Sequence, residues 1–306
     1  MKDLSSLATQ AGHFTIAAFD HRNSLNAYLD PQDPSAVTAD QIVALKRLFI
    51  QAFADISSAI LIDPIYGLDY GLDLTQEIPP QTGILMSLEE SSYDESQAGR
   101  LTKLLPHWSV ADVKAHRAAA KLLFYYHPSA PIAPSQLNLI SQLSRDCREQ
   151  EVIFLVEPIL YGVGEYSHQD KTNLTLKTID QLSPLVDIIK LEFPLDVLRS
   201  TPHDWQRVSR QLSQHATIPW VLLSRGGMDY DHFKTLTEIT TQAGASGIAV
   251  GRAVWQDIID ISRKYPDSAE KLSNIEAFLM TTGRTRMQTL CHIVSAHAKP
   301  WTAFRS

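Results

Sequence analysis

The stretch VDIIKLEFP, residues 186–194, decides how this chain folds. Val186, Ile188, Ile189, Leu191 and Phe193 put apolar side chains on both faces of an extended run, as a strand buried on both sides of a parallel sheet requires. Lys190 interrupts that run. An isolated ammonium in apolar surroundings is too costly, so this lysine must be paired or carry a shifted pKa. Burial that favours the neutral amine makes a nucleophile able to form a Schiff base with a carbonyl. A structural lysine whose amine reaches the sheet edge is the other reading, and the strand alone leaves both open.

Seven further apolar runs lie outward from it, at residues 13–20, 59–63, 82–89, 120–126, 152–159, 219–224 and 247–251. Amphipathic helical patterns fall between most of them, at 39–57, 110–119, 135–150, 173–182, 204–216 and 230–243. Eight strands alternating with helices predict a (β/α)8 TIM barrel in one domain over residues 1–306, since a doubly wound open sheet usually has fewer parallel strands. No GxGxxG follows an early strand, which disfavours a dinucleotide-binding fold. Residues 268–298 read as extra C-terminal helices packed on the barrel, closing it or supporting contacts in a homo-oligomer.

Composition narrows the function classes. The chain of 306 residues is 44% hydrophobic and 20% charged, enough apolar content for a large core. A net charge of −7 without a Lys/Arg cluster argues against nucleic acid as a partner. An acidic small-molecule substrate therefore needs a local basic site. The only cysteines, Cys147 and Cys291, lack metal-ligand or CxxC spacing, so neither a disulfide framework nor a zinc site is expected. The N-terminal MKDLSSLATQAGHF has no signal-like apolar core, and no stretch approaches about 18 apolar residues. The expectation is a cytoplasmic protein without a membrane partner.

Polar residues mark the ends of the strands: Asp20, Asp63, Glu89, Glu157, Lys190, Ser224 and Arg252. Strand C-termini form the active face of such barrels, which makes the set a candidate site. Lys121 opens KLLFYY on strand four, Lys190 lies on strand six, and alternate strands share interior layers. A neighbouring cation is expected to depress a lysine pKa by like-charge repulsion. An ion-paired lysine at the strand entrance is the plainer reading of Lys121.

Glu157 on strand five lies between the lysines and can move the protons that carbinolamine formation, dehydration and carbon–carbon cleavage require. It can equally serve as their salt-bridge partner. Glu192 shares the face of Lys190 and offers a second carboxylate to orient that amine. Asp20 can bind a substrate hydroxyl, pair with a lysine, or pair with Arg22.

Strand seven ends in LLSRGG and strand eight in IAVGR. Loops at these places in the strand count commonly hold phosphate. Ser224, Arg225, Gly226, Gly251 and Arg252 are thus the candidate phosphate residues, the arginines supplying charge-assisted hydrogen bonds. Arg22 adds to this site or holds a second anion, and Glu89 completes the rim. The eleven histidines make no HExxH or other close ligand set, so no metal and no cofactor is expected.

Seven segments then resemble a known family: AFDHRNSL (18–25), LIDPIYG (61–67), SLEESSYD (87–94), KLLFYY (121–126), FLVEPILY (154–161), IIKLEFP (188–194) and GASGIAVGRAVW (244–255). Their order and content resemble the tagatose 1,6-bisphosphate aldolases. The resemblance implies a class I aldolase on a (β/α)8 barrel that cleaves a ketose bisphosphate to dihydroxyacetone phosphate and glyceraldehyde 3-phosphate. It makes Lys190 the Schiff-base lysine, Glu157 the acid/base residue, Lys121 and Asp20 their companions, and Ser224 and Arg252 the phosphate ligands. The related sulfofructose-phosphate aldolases share the lysine and GRAVW motifs, so a sulfonated ketose is an alternative substrate. A non-covalent sugar-phosphate isomerase or epimerase, and a sugar-phosphate-sensing barrel, are alternatives of other classes. The chain departs from the family's usual AFDQRGSL at His21 and Asn23, and has Ser224-Arg225-Gly226-Gly227 where a small residue followed by glycine is usual, which adds a cation beside the phosphate loop.

Overall fold

Each apolar run overlaps one strand of a closed barrel in a computed structural model describing residues 2–68, 73–163 and 166–305. The strands are β1 (Phe14–Phe19), β2 (Ala59–Ile62), β3 (Gly83–Ser87), β4 (Glu89–Ser96), β5 (Gly99–Leu104), β6 (Ala119–Tyr126), β7 (Phe154–Leu160), β8 (Ile188–Leu191), β9 (Trp220–Leu223) and β10 (Gly247–Val250). All but β4 and β5 pair in parallel, in the order β1-β10-β9-β8-β7-β6-β3-β2, and the ring closes. The (β/α)8 expectation is borne out. Pro158 is tolerated within β7 because pairing with β8 has ended at Val156, so its missing N–H breaks no ladder bond on that side.

Side chains alternate along each strand, and the alternation divides the barrel. Ile16, Ala18, Leu85, Ala119, Leu155 and Ile188 belong to one buried apolar cluster, which fills the interior. Leu4, Leu7 and Trp301 join it where the chain termini cover the N-terminal end. Ile60, Met86, Ala120, Leu122 and Ile189 belong to a second cluster, packed outward against the helices. Two residues beyond Ala18, Ala119, Leu155 and Ile188 come Asp20, Lys121, Glu157 and Lys190. The same inward faces therefore change from apolar to charged within one step.

Helices cover the outer layer. Ala39–Phe53 begins with a capping box between Thr38 and Gln41, and presents Ile42, Leu45, Phe49 and Phe53 to the core. His168–Leu182 starts earlier than its apolar periodicity suggests, because the Ser167 hydroxyl caps it by accepting from the Asp170 N–H. The C-terminal tail forms Ser268–Phe278, a π-helical turn Leu279–Gly283, and Arg284–His297. This last helix lies against Tyr230–Gln242 and β1, and Arg284 donates to both carboxylate oxygens of Asp55 at 2.7 and 2.5 Å. No helix among the described residues is long and apolar enough to cross a membrane.

Strands β4 and β5 form an antiparallel hairpin that projects from the end of β3. The run expected over 82–89 is therefore two elements, and Glu89 opens the hairpin instead of ending the barrel strand. The hairpin is fixed by Arg100. Its guanidinium carbon lies 4.6, 4.9 and 5.2 Å from the ring centres of Tyr93, Tyr125 and Tyr161. Each such contact contributes about 0.5–1 kcal/mol at a partly exposed site. The Arg100 N–H also donates to the Tyr161 hydroxyl at 3.2 Å. Gly99, at φ 126°, permits that approach, since a Cβ there would collide with the Tyr161 hydroxyl.

Candidate active site

A cavity of about 450 Å³ opens at the C-terminal ends of the strands, lined by residues from β1, β6, β7, β8 and the loops that follow β9 and β10. All the candidates proposed from the sequence but Asp63 lie on or beside it; Asp63 does not line it and is buried against Lys46 instead. Asp20, Arg22, Glu89, Lys121, Glu157, Lys190, Ser224, Arg225, Gly251 and Arg252 line the wall, and Gly226 packs behind Arg252.

The centre is a chain of buried charges. Lys190 Nζ donates to Glu157 Oε2 at 2.8 Å, and Lys121 Nζ lies 3.2 Å from the same oxygen. Lys121 also donates to Asp20 Oδ2 at 2.5 Å and to Glu89 Oε1 at 2.6 Å. One lysine therefore faces three carboxylates. The other has a single carboxylate partner among the described residues.

These counts set the protonation states. Burial works against the Lys121 ammonium, but Asp20, Glu89 and Glu157 outweigh it and raise its pKa. The like-charge depression expected from the sequence thus does not govern Lys121, because the carboxylates around it are closer and more numerous than the amines. Burial disfavours the Glu157 anion, yet Lys190 and Lys121 together hold its pKa below the ordinary value. Asp20 is likewise held low against burial by Lys121 and Lys190. Glu89 goes the other way: burial, with Asp20 nearby, pushes its carboxyl up despite Lys121.

Glu192 does not orient Lys190. It forms an ion pair with Arg225 at 3.1 Å, and burial raises its pKa. Arg225 is thereby tied down on one side and is 64% exposed on its side chain, a more peripheral place than the sequence suggested. Arg22 does not pair with Asp20. Its Nη2 donates to the Glu89 carbonyl at 2.7 Å, binding the strand-one loop to the hairpin base.

Beyond β9 and β10, the Ser224 hydroxyl accepts the Gly251 N–H at 3.0 Å, joining the two loops. Gly226 has a steric reason to be glycine. A Cβ there would run into the Arg252 guanidinium, which lies across the backbone of that loop. Arg252 Nε, Arg22 Nη1 and Glu89 Oε2 are buried without a hydrogen-bond partner among the described residues. Unpaired buried donors and acceptors are costly unless a ligand completes them. Among those residues no group of three or more His, Cys, Asp or Glu side chains is arranged to hold a metal ion.

Two features were not foreseen. Lys46, in the middle of Ala39–Phe53, is fully buried and ion-pairs with Asp63 Oδ2 at 2.6 Å. It donates to the carbonyls of Phe19 at 2.6 Å and His21 at 2.8 Å, on either side of Asp20. A lysine in an amphipathic helix reads as solvent-facing, and only the apolar residues beside it, Leu45 and Phe49, hinted otherwise. The second is His21, whose ring meets the edge of Trp255 at 5.3 Å between centres. Burial lowers its pKa to about 3, against the opposing pull of Asp20, so the ring is neutral.

A barrel that gathers charged groups at one end, above an apolar floor, is an enzyme scaffold, and comparison with known proteins places it among the lyases that make or break carbon–carbon bonds. The chain belongs to the DeoC/LacD family aldolases, whose model matches residues 14–257. It is similar to tagatose 1,6-diphosphate aldolase 2 of Enterococcus faecalis, with 26% identity covering 98% of this chain and 95% of that protein. The resemblance seen in the motifs is therefore borne out. In fold it is similar to an archaeal fructose-1,6-bisphosphate aldolase solved with its catalytic lysine bound to a carbinolamine intermediate. That likeness has 16% identity and a TM-score of 0.57, covering 86% of this chain and 96% of that one. The fructose-bisphosphate aldolase of Plasmodium falciparum is also similar, with a TM-score of 0.70, 13% identity, and coverage of 96% and 93%.

Proposed function

We propose that this aldolase is a class I enzyme acting on a phosphorylated ketose of the tagatose or fructose 1,6-bisphosphate type, through a Schiff base on Lys190. The observation that carries the reading is the sharing of one Glu157 oxygen by two lysines of unequal surroundings. Lys121 is locked as an ammonium by three carboxylates and serves as a fixed charge. Lys190 has one partner to give its proton to and lines the cavity, which suits the nucleophile.

In this mechanism Glu157 accepts a proton from Lys190, and the neutral amine adds to the ketone carbon. Glu157 returns the proton to the carbinolamine hydroxyl, which leaves as water, and a protonated imine remains. That cation accepts the electron pair of the C3–C4 bond as the C4 hydroxyl gives its proton to the Glu157 carboxylate and becomes an aldehyde carbonyl. Glu157 returns that proton to C3 of the enamine, and water hydrolyses the resulting imine to release dihydroxyacetone phosphate and the free lysine. Lys121 stabilises Glu157 whenever it is the anion, and Asp20 holds Lys121. Ser224, Gly251 and Arg252 take the phosphate of the dihydroxyacetone half, helped by Arg225 and by the loop that Gly226 keeps open. Arg22 and Glu89 face the other half.

The test is incubation with dihydroxyacetone phosphate and borohydride, followed by peptide mass mapping. A reduced adduct on Lys190 is expected, with cleavage activity unaffected by a chelator. Label elsewhere, or activity lost to the chelator, rejects the reading. Assays with tagatose, fructose and sulfonated ketose phosphates identify the substrate.

A further inference from the structure

The β4–β5 hairpin lies outside the barrel, yet its residues Ser91, Ser92, Tyr93 and Thr102 line the same cavity as Lys190. Its position follows from strand order. On one side of β8 come β9 and β10, followed by the Ser224 loop and by Gly251 and Arg252, and then β1; on the other come β7, β6 and β3, with the hairpin. A ketose joined to Lys190 with its phosphate towards β9 and β10 must send its other half towards β6 and the hairpin. There Tyr93 and Tyr125 meet edge to face at 4.8 Å, beside the hydroxyls of the hairpin.

Arg100 makes that wall. Its guanidinium touches Tyr93 on the hairpin, Tyr125 on β6 and Tyr161 just after β7, so one side chain ties the hairpin to two barrel strands. Gln136 fixes its main chain by donating to the Arg100 carbonyl at 2.7 Å and to the Tyr125 carbonyl at 3.0 Å. Arg100 does not itself line the cavity.

We propose that the hairpin selects the aldehyde half of the substrate, a polyhydroxylated aldehyde phosphate, and that Arg100 is the positioning residue that sets Tyr93 and Tyr125 for this task. The inference rests on the Schiff-base reading given above. It separates two activities that share Lys190. Cleavage of a ketose bisphosphate needs both halves of the site, whereas exchange of the C3 hydrogen of dihydroxyacetone phosphate with solvent deuterium needs only the phosphate half.

Arg100→Ala is expected to raise KM for fructose or tagatose 1,6-bisphosphate about tenfold while exchange stays within about twofold of the wild type. Tyr93→Leu, which leaves Arg100 its other two rings, is expected to show the same split and serves if Arg100→Ala does not fold. Unchanged KM in both variants, or equal losses of cleavage and exchange in folded protein, overturns the proposal. A wild-type enzyme that cleaves but neither exchanges nor traps with borohydride counts against the Schiff base instead. The hairpin is then judged by KM for the cleaved ketose, with the same tenfold rise expected and an unchanged value overturning it.

Discussion

Lys46 and Asp63 form an ion pair at 2.6 Å with neither side chain exposed to solvent, and through Lys46 the pair grips the carbonyls on both sides of Asp20. The charges lie beneath the site, and the residue they steady is the one that holds Lys121.

Removing one partner strands the other in a low-dielectric setting. Lys46→Met is expected to cost about 3–5 kcal/mol of stability, whereas Lys46→Met with Asp63→Leu recovers most of it. The double variant should still lose kcat about tenfold with KM little changed, because the loop that carries Asp20 is no longer pinned. Denaturant melts alongside steady-state kinetics check this, and full kcat in a stable double variant would reject it.

Lys121 offsets the burial of three carboxylates. Lys121→Met should lower kcat on the order of 10²-fold or more, with a stability loss of about 3–5 kcal/mol at neutral pH. Acid tests the cause. Asp20 and Glu157 have folded pKa values below their ordinary 3.8 and 4.5, so their contribution is complete above those values and is lost as pH falls through the lower folded ones. From about pH 4.5 downward the advantage of the wild type over Lys121→Met should therefore begin to shrink. Melting temperatures from pH 7 to 3 measure the convergence.

His21 titrates in the opposite sense to a salt-bridged histidine. Its folded pKa is lowered to about 3 from 6.5, so the unfolded chain binds the proton first and stability falls as pH drops below 6.5, until about pH 3. His21→Gln abolishes this loss. Relative to the wild type its stability should improve steadily from pH 7 to pH 4, and a parallel pair of curves would show that the ring is not held neutral.

Gly226 and Arg252 should fail together. A methyl group at 226 displaces the guanidinium from its place over the loop. Gly226→Ala is thus expected to raise KM for the ketose phosphate about 10- to 100-fold, the range of one charge-assisted hydrogen bond, and Arg252→Ala at least as much. Kinetics on both single variants and the double, with little further loss in the double, would establish the shared cause.

The barrel was legible because parallel strands covered on both faces must be apolar throughout, which left eight short runs that could hardly be anything else. The same purity made Lys121, Glu157 and Lys190 visible as exceptions on three consecutive strands. The hairpin had no such contrast. Glu89–Ser96 is mostly solvent-facing and rich in Glu and Ser, and Gly99–Leu104 is half-buried along its whole length, so neither shows a buried face. Arg100 was unreadable for another reason: its tyrosines stand at 93, 125 and 161, brought together only by the ring of strands. Lys46 falls on the apolar stripe of its helix, four residues after Ile42 and three before Phe49, but residue type alone argued for solvent. Its burial depends on two carbonyls and a carboxylate supplied by other strands.

The change from apolar to charged along the inward faces has a consequence for traffic. With the interior filled below Lys121 and Lys190 and the far end covered by Leu4, Leu7 and Trp301, the barrel formed by the described residues opens at one end. Substrate, water and both products must pass through it in turn. On the proposed mechanism the half not joined to Lys190 is free to leave on cleavage while the other waits for hydrolysis, so a single doorway is used twice in one turnover.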